Sequence, residues 1–144
     1  MASQITHIPY GKKVLDRFLG GKKVDEKKFY IGTLFPDIRY LGHIDREETH
    51  PANTSVEELL KIGDSFQLGY YTHSLVDEER NRVVAKLGIF EAFPNHPFMG
   101  SIIKFAEDTV TYPLFTDWKT IITYLDDILD EELTYLPKEE VSRW

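Results

Sequence analysis

Phe66, Tyr70, His73 and Asp77 recur at intervals of three and four, so one helical face carries an imidazole and a carboxylate among aromatic neighbours. On a partly buried face such a polar pair needs partners. Two are chemically economical: each group for the other, or one cation for both. In the first case Asp77 fixes the tautomer of a satisfied core histidine, which is the commoner outcome for an isolated H-x-x-x-D. Three more residues of the same kinds stand at element edges: His7 just before the first helix, Asp37 behind Pro36, and His50 in a polar loop before Pro51. Side chains at such edges can converge without breaking packing.

Composition limits what chemistry these residues can do. The chain has 144 residues, five histidines and no cysteine, which removes thiol nucleophiles, disulfides, iron–sulfur clusters and cysteine-bound zinc together. Any metal must be held by histidine, carboxylate and other oxygen ligands. Seventeen Lys and Arg against 24 Asp and Glu leave a net charge of −7, which opposes bulk nucleic-acid binding and electrostatic docking on anionic membranes. No apolar run approaches the roughly 20 residues of a membrane span, and the first residues lack a secretory pattern. The expectation is a cytoplasmic chain. With 42% hydrophobic and 13% aromatic residues there is material for a core, and the length suits one domain over 1–144.

The elements that must position these residues read as helices. Pro9 suits a first helical turn, followed by a stripe of Tyr10, Val14, Leu15, Phe18 and Leu19 that ends at Gly20. A second helix is expected over Asp25–Leu34, stopped before Pro36. The stretch from Leu41 to Ala52 reads as a loop, and Val56–Ile62 as a short helix. The longest helix is expected over Ser65–Leu87, with Asp64 or Ser65 as N-cap and Gly88 beyond its end. Ser101 can cap another helix, with Ile102, Ile103, Ala106 and Val110 inward as far as Pro113. The stripe of Trp118, Ile121, Ile122, Leu125, Ile128, Leu129 and Leu133 reads as core. Nothing alternates with period two, so the expected fold is an all-α multi-helix bundle, and a metal site, where the edge residues above share one cation, would lie between its helices.

The series His7, Gly32-Thr33-Leu34-Phe35-Pro36-Asp37, Thr49-His50 and Phe66-Gln67-Leu68-Gly69-Tyr70-Tyr71-Thr72-His73-Ser74-Leu75-Val76-Asp77 resembles the zinc-dependent phospholipase C family, which groups loosely with S1/P1-type nucleases. The most specific pieces are Gly-x-x-x-Pro-Asp and the helix bearing L-G-Y-x-T-H-x-x-x-D. The resemblance implies that Asp37, His50, His73 and Asp77 bind one zinc, with manganese or iron as alternatives for such ligands. It implies that Asp77 bridges to a second ion, held also by His7 and by the amino group and carbonyl of a processed N-terminal residue. Here the chain begins with Met1, several residues before His7. The family's third zinc takes two further histidines and a glutamate. This chain departs there, because only His96 follows Asp77 and position 100 is Gly100. One or two ions are therefore expected, with Glu107 and Asp108 as extra carboxylates that no motif supports.

The implied activity is hydrolysis of a soluble phosphodiester or phosphomonoester by metal-activated water, with Asp37 both ligand and catalytic base. Arg39 and Arg46 flank the ligands and can grip a phosphoryl group, or else pair with Asp45, Glu47 and Glu48. Arg80 and Asn81 continue the His73–Asp77 face toward a pocket mouth, which makes Asn81 a third candidate for the small phosphorylated substrate. His43 and His96 read more simply as exposed loop and turn residues. Two rivals remain: a non-catalytic helical domain with a structural ion, and an HD-type phosphohydrolase, whose adjacent His-Asp pair is missing here.

Overall fold

The structure, a computed structural model, describes residues 2–93 and 96–144. It is an all-α multi-helix fold, and no strand occurs among the described residues. Helix α1 spans Gln4–Phe18 and α2 spans Glu26–Leu34, each started by a side chain that accepts a backbone N–H, from Ser3 and Asp25 respectively. A 3-10 turn over Phe35–Ile38 follows α2, then two short helices, α3 (Arg39–Gly42) and α4 (Arg46–Thr49). Helix α5 (Val56–Lys61) opens with a capping box of Ser55 and Glu58. Helix α6 spans Ser65–Lys86, with Asp64 as its N-cap and Gly88 in the left-handed conformation just past its end. The remainder comprises α7 (Ile89–Ala92), α8 (Met99–Thr111), α9 (Trp118–Leu125) and α10 (Lys138–Val141).

Helix α6 is the centre of the molecule. From Phe66 to Asp77 all its residues but Gln67 and Tyr71 are buried, as expected of a helix covered on several sides. One apolar cluster joins Leu68 and Leu75 of α6 to Ile8, Phe29, Tyr30, Leu34, Leu59 and Ile121. A second joins Phe66 and Tyr70 to Ile31, Phe35, Ile38, Leu136 and Val141, so the C-terminal segment closes over the start of α6. Between these clusters α2 crosses α6 in backbone contact. A Cβ at Gly32 would overlap the carbonyl of Phe66, and one at Gly69 would overlap the carbonyl of Phe29. Glycine at both positions lets the two helices approach more closely than side chains would permit.

Several expectations from the sequence need correction. Helix α1 begins five residues before Pro9, because Ser3 caps it, so Pro9 and His7 lie inside the helix. The segment expected as a loop over Leu41–Ala52 contains α4 and the end of α3. Helix α8 starts two residues before Ser101 and has no side-chain cap. Of its expected inward residues only Ile103 is buried, whereas Ile102, Ala106 and Val110 are exposed. In the 118–133 stripe Ile121 is buried, but Ile122, Leu125 and Leu133 are exposed. Periodicity marks an apolar face without saying whether another element covers it. Tyr10 and Phe18 of α1 are exposed for the same reason.

Among the described residues no helix is long and apolar enough to cross a membrane. The Gly32–Gly69 crossing yields a direct expectation. Gly32→Ala and Gly69→Ala place a methyl group against backbone that cannot yield, so each should destabilise by about 3 kcal/mol or more, the upper end of overpacking effects. Urea unfolding measures this; a loss below about 1 kcal/mol would show that the crossing can open.

Candidate metal centre

Five of the residues singled out in the sequence meet in one buried cluster. His7 comes from α1, Asp37 from the 3-10 turn after α2, His50 from the residue that ends α4, and His73 and Asp77 from α6. His7, Asp37 and His73 form one group able to hold a metal ion, and His50, His73 and Asp77 another. All five residues are buried. His73 belongs to both groups, and its two ring nitrogens have different tasks.

The orientation of His73 follows from the helix crossing. Its Nδ1 lies 2.9 Å from the Thr33 carbonyl on α2. A carbonyl only accepts, so Nδ1 carries the proton and the neutral ring turns an Nε2 lone pair inward. That Nε2 stands 3.1 Å from His50 Nε2, 3.9 Å from Asp77 Oδ2 and 4.0 Å from Asp37 Oδ1. On the far side of His50, Nδ1 is 2.8 Å from the Thr49 hydroxyl, which itself lies 3.4 Å from the Arg46 carbonyl. When that hydroxyl donates to the carbonyl, its oxygen accepts from His50 Nδ1. Both imidazoles then aim Nε2 lone pairs at one point. Two imidazole nitrogens on a tetrahedral zinc, with bonds of about 2.0–2.1 Å, lie roughly 3.3 Å apart. The 3.1 Å separation therefore fits two ligands of one ion.

His7 stacks on His73, with ring centroids 3.8 Å apart. Its Nε2 lies 3.5 Å from Asp77 Oδ1, and neither ring nitrogen has a hydrogen-bond partner among the described residues. Asp37 Oδ1 is likewise buried without a hydrogen bond from any described residue. Such groups are expensive to bury unless something else satisfies them. Two aspartates and three imidazoles, with lone pairs left over, have the donor chemistry of a divalent-ion site. Asp77 Oδ1 also accepts the backbone N–H of Ala2 at 2.6 Å, and Oδ2 accepts from Arg46 at 3.2 Å.

Burial and neighbouring charge divide these groups. Burial, with help from Arg46, lowers His50 to about 4 against the pull of Asp77. His73 is lowered well below its usual value, by burial first and by His7 second. Burial pushes Asp37 up, opposed by His7 and reinforced by the negative charge of Asp77. For Asp77, burial is the largest influence and acts upward. The contact with His7, the charges of His7 and His73 and the Ala2 N–H together outweigh it, and the carboxyl lies below its ordinary range. The cluster thus favours neutral His50 and His73 beside an ionised Asp77, protonation states that suit metal ligands.

The other candidates divide between the rim and sites elsewhere. The Arg46 side chain is 42% exposed and reaches from the surface to Asp77. Arg39 lies near enough to act on the charges of Asp37 and His50, and its guanidinium sits over the Tyr40 ring. Lys104 of α8, not singled out in the sequence, also acts on Asp37; its only signal was a lone positive charge on an otherwise uncharged turn. Asn81 is exposed and accepts from Arg80, which is paired with Glu107. Asp108 accepts from Ser3 and Thr6 and so fastens α8 to α1. His43 is an exposed left-handed residue ending α3, and exposed His96 accepts the Phe98 N–H.

In comparisons with known proteins, no family model, no curated protein and no solved structure matches this chain.

Acid sensitivity follows from the histidines. Between about pH 6.5 and 4 the unfolded chain protonates His50 while the folded chain does not, and His73 acts in the same direction. Stability should therefore fall with acidification by up to about 1.4 kcal/mol per pH unit for each histidine. Urea unfolding at pH 7, 6 and 5 without added metal tests this, and His50→Gln should flatten the slope. An unchanged slope in that variant would contradict the assignment.

Proposed function

We propose that this chain is a metal-dependent phosphoester hydrolase acting on a soluble phosphodiester or phosphomonoester. The observation that carries the reading is the buried group of His7, Asp37, His50, His73 and Asp77, with two imidazole nitrogens 3.1 Å apart. Its composition and order along the chain match the resemblance to the zinc-dependent phospholipase C family. Zinc is the proposed ion, with manganese or iron as alternatives; His50, His73 and Asp77 would hold it, and Asp37, which stands in the other group with His7 and His73, is proposed to complete the set. His73 Nε2 can serve only one ion, so a second would rest on His7 and Asp77 Oδ1. When bound, a divalent ion supplies acidified water and counter-charge for phosphoryl oxygens.

The chain's own residues supply the rest. Asp37, with its carboxyl raised by burial, is the group suited to take a proton from the attacking water. Arg46 presents its guanidinium at the rim of the cluster and Arg39 lies near enough to act on Asp37 and His50, in a chain whose net charge is −7. A planar guanidinium grips phosphoryl oxygens in pairs, which would orient the ester above the cluster. A cleft of about 690 Å³ runs between α1, α6 and α8, lined by Tyr10, Val14, Leu75, Val76, Arg80 and Val83 among others. Thr6 and Val76, chain neighbours of His7 and Asp77, lie on its wall, so it has room for the organic part of a substrate beside the cluster. Asn81 stands one residue beyond Arg80 and is the third proposed substrate contact.

Elemental analysis of protein purified with zinc or manganese should find one or two ions per chain. The loaded protein should hydrolyse bis-p-nitrophenyl phosphate or p-nitrophenyl phosphate. His73→Asn and Asp77→Asn should lower turnover by about a hundredfold or more, at or beyond the cost of losing an outer-shell partner. Absence of bound metal, or of hydrolysis across a broad panel of phosphoesters, would overturn the reading. Loss of thermal stability with no hydrolysis to lose would instead identify a structural ion.

A further inference from the structure

Asp77 Oδ2 is approached from two sides. From within the cluster, His50 Nε2 and His73 Nε2 each lie 3.9 Å away, and from the rim Arg46 Nη2 donates to it at 3.2 Å. Arg46 and His50 are four residues apart across the single turn of α4, where the His50 N–H bonds the Arg46 carbonyl at 2.9 Å. The turn that delivers an imidazole to the cluster therefore delivers a guanidinium as well. The two partners of the ion pair differ in freedom. The Arg46 side chain is 42% exposed, whereas that of Asp77 is fully buried. The guanidinium can turn into solvent with little loss, but the carboxylate has nowhere else to go.

We propose that Arg46 competes with the divalent ion for Asp77 Oδ2, and that an oxyanion at the rim draws the guanidinium away, so ion and phosphoryl group bind cooperatively. The inference rests on the metal-dependent reading above and adds a regulation of that same site. An oxygen held by a guanidinium is a poorer ligand, and a fixed positive charge beside a divalent cation repels it. A phosphoryl group offers the planar fork of arginine a partner with two oxygens, where Asp77 offers one contact. Binding linkage is reciprocal, so whatever the phosphoryl group does for the ion, the ion does for the phosphoryl group.

Calorimetric titration of manganese into the full chain, with and without inorganic phosphate, tests the proposal. Arg46→Gln should bind manganese about threefold to tenfold more tightly than the wild type. Arg46→Lys keeps the charge and should stay closer to wild type. Lys104→Gln removes a charge that acts on Asp37 and should shift affinity less than Arg46→Gln. Phosphate, kept too dilute to complex manganese in bulk, should tighten ion binding more in the wild type than in Arg46→Gln. Unchanged or weaker binding in Arg46→Gln, an equal gain in Lys104→Gln, or an equal phosphate effect in wild type and Arg46→Gln would each overturn it. If the wild type takes up no manganese or zinc, the metal-dependent reading falls too. If it binds the ion and Arg46→Gln does not differ, only the competition is refuted.

Discussion

The backbone contact between α2 and α6 at Gly32 and Gly69 is the constraint on which the rest of the structure depends. Where the helices touch, Thr33 is the residue after Gly32, and its carbonyl meets Nδ1 of His73, one turn beyond Gly69. The crossing thereby sets the tautomer and direction of the imidazole shared by both groups able to hold a metal ion. It also sets the position of Asp37, because the 3-10 turn that carries it follows directly from the end of α2. Wider spacing would move the Thr33 carbonyl and Asp37 away from His73 together. Geometry and protonation state at the centre thus have a common origin in two residues without side chains.

Burial and neighbouring charge push the ionisable groups of the cluster in different directions. Removing water would ordinarily neutralise carboxylates and imidazoles alike. Here His50 and His73 are pushed toward the neutral form, while Asp77 stays ionised because the contact with His7, the Ala2 N–H and the Arg46 guanidinium converge on it. Asp37 has less compensation and is raised. Two carboxylates in one cluster are thus pushed in opposite directions by their neighbours, a separation suited to dividing ligand and base roles. Arg46 reaches Asp77 from the surface, and Arg39 and Lys104 act on the charge of Asp37, although the chain as a whole is acidic.

Local patterns in the sequence were legible where the physics is local. Asp64, the apolar spacing after it and Gly88 marked α6 almost to the residue, because caps and helical period act within a few residues. Ser3 was passed over as the cap of α1 because Pro9 offered a competing start. The polar composition of 41–52 concealed α4, which is one turn long and carries no apolar stripe. On α8 and α9 the helical period holds as far as Thr111 and Leu125, but the stripe expected to run on to Leu133 leaves the α-helix after Leu125, and period alone does not set burial. Ile102, Val110, Ile122 and Leu125 lie on faces left exposed among the described residues.

The types and spacings of His7, Asp37, His50, His73 and Asp77, and the absence of cysteine, already restricted the chain to nitrogen and oxygen ligand chemistry on a helical framework. His73 and Asp77 share a face through the helical period alone, which no distant contact can change. The convergence of the other three was a matter for tertiary structure. They arrive from separate segments whose approach depends on the glycine crossing and on the cover given by the C-terminal residues. The same holds for Arg46. Its place beside His50 is written in a spacing of four, but its reach to Asp77 exists only once α4 lies against α6.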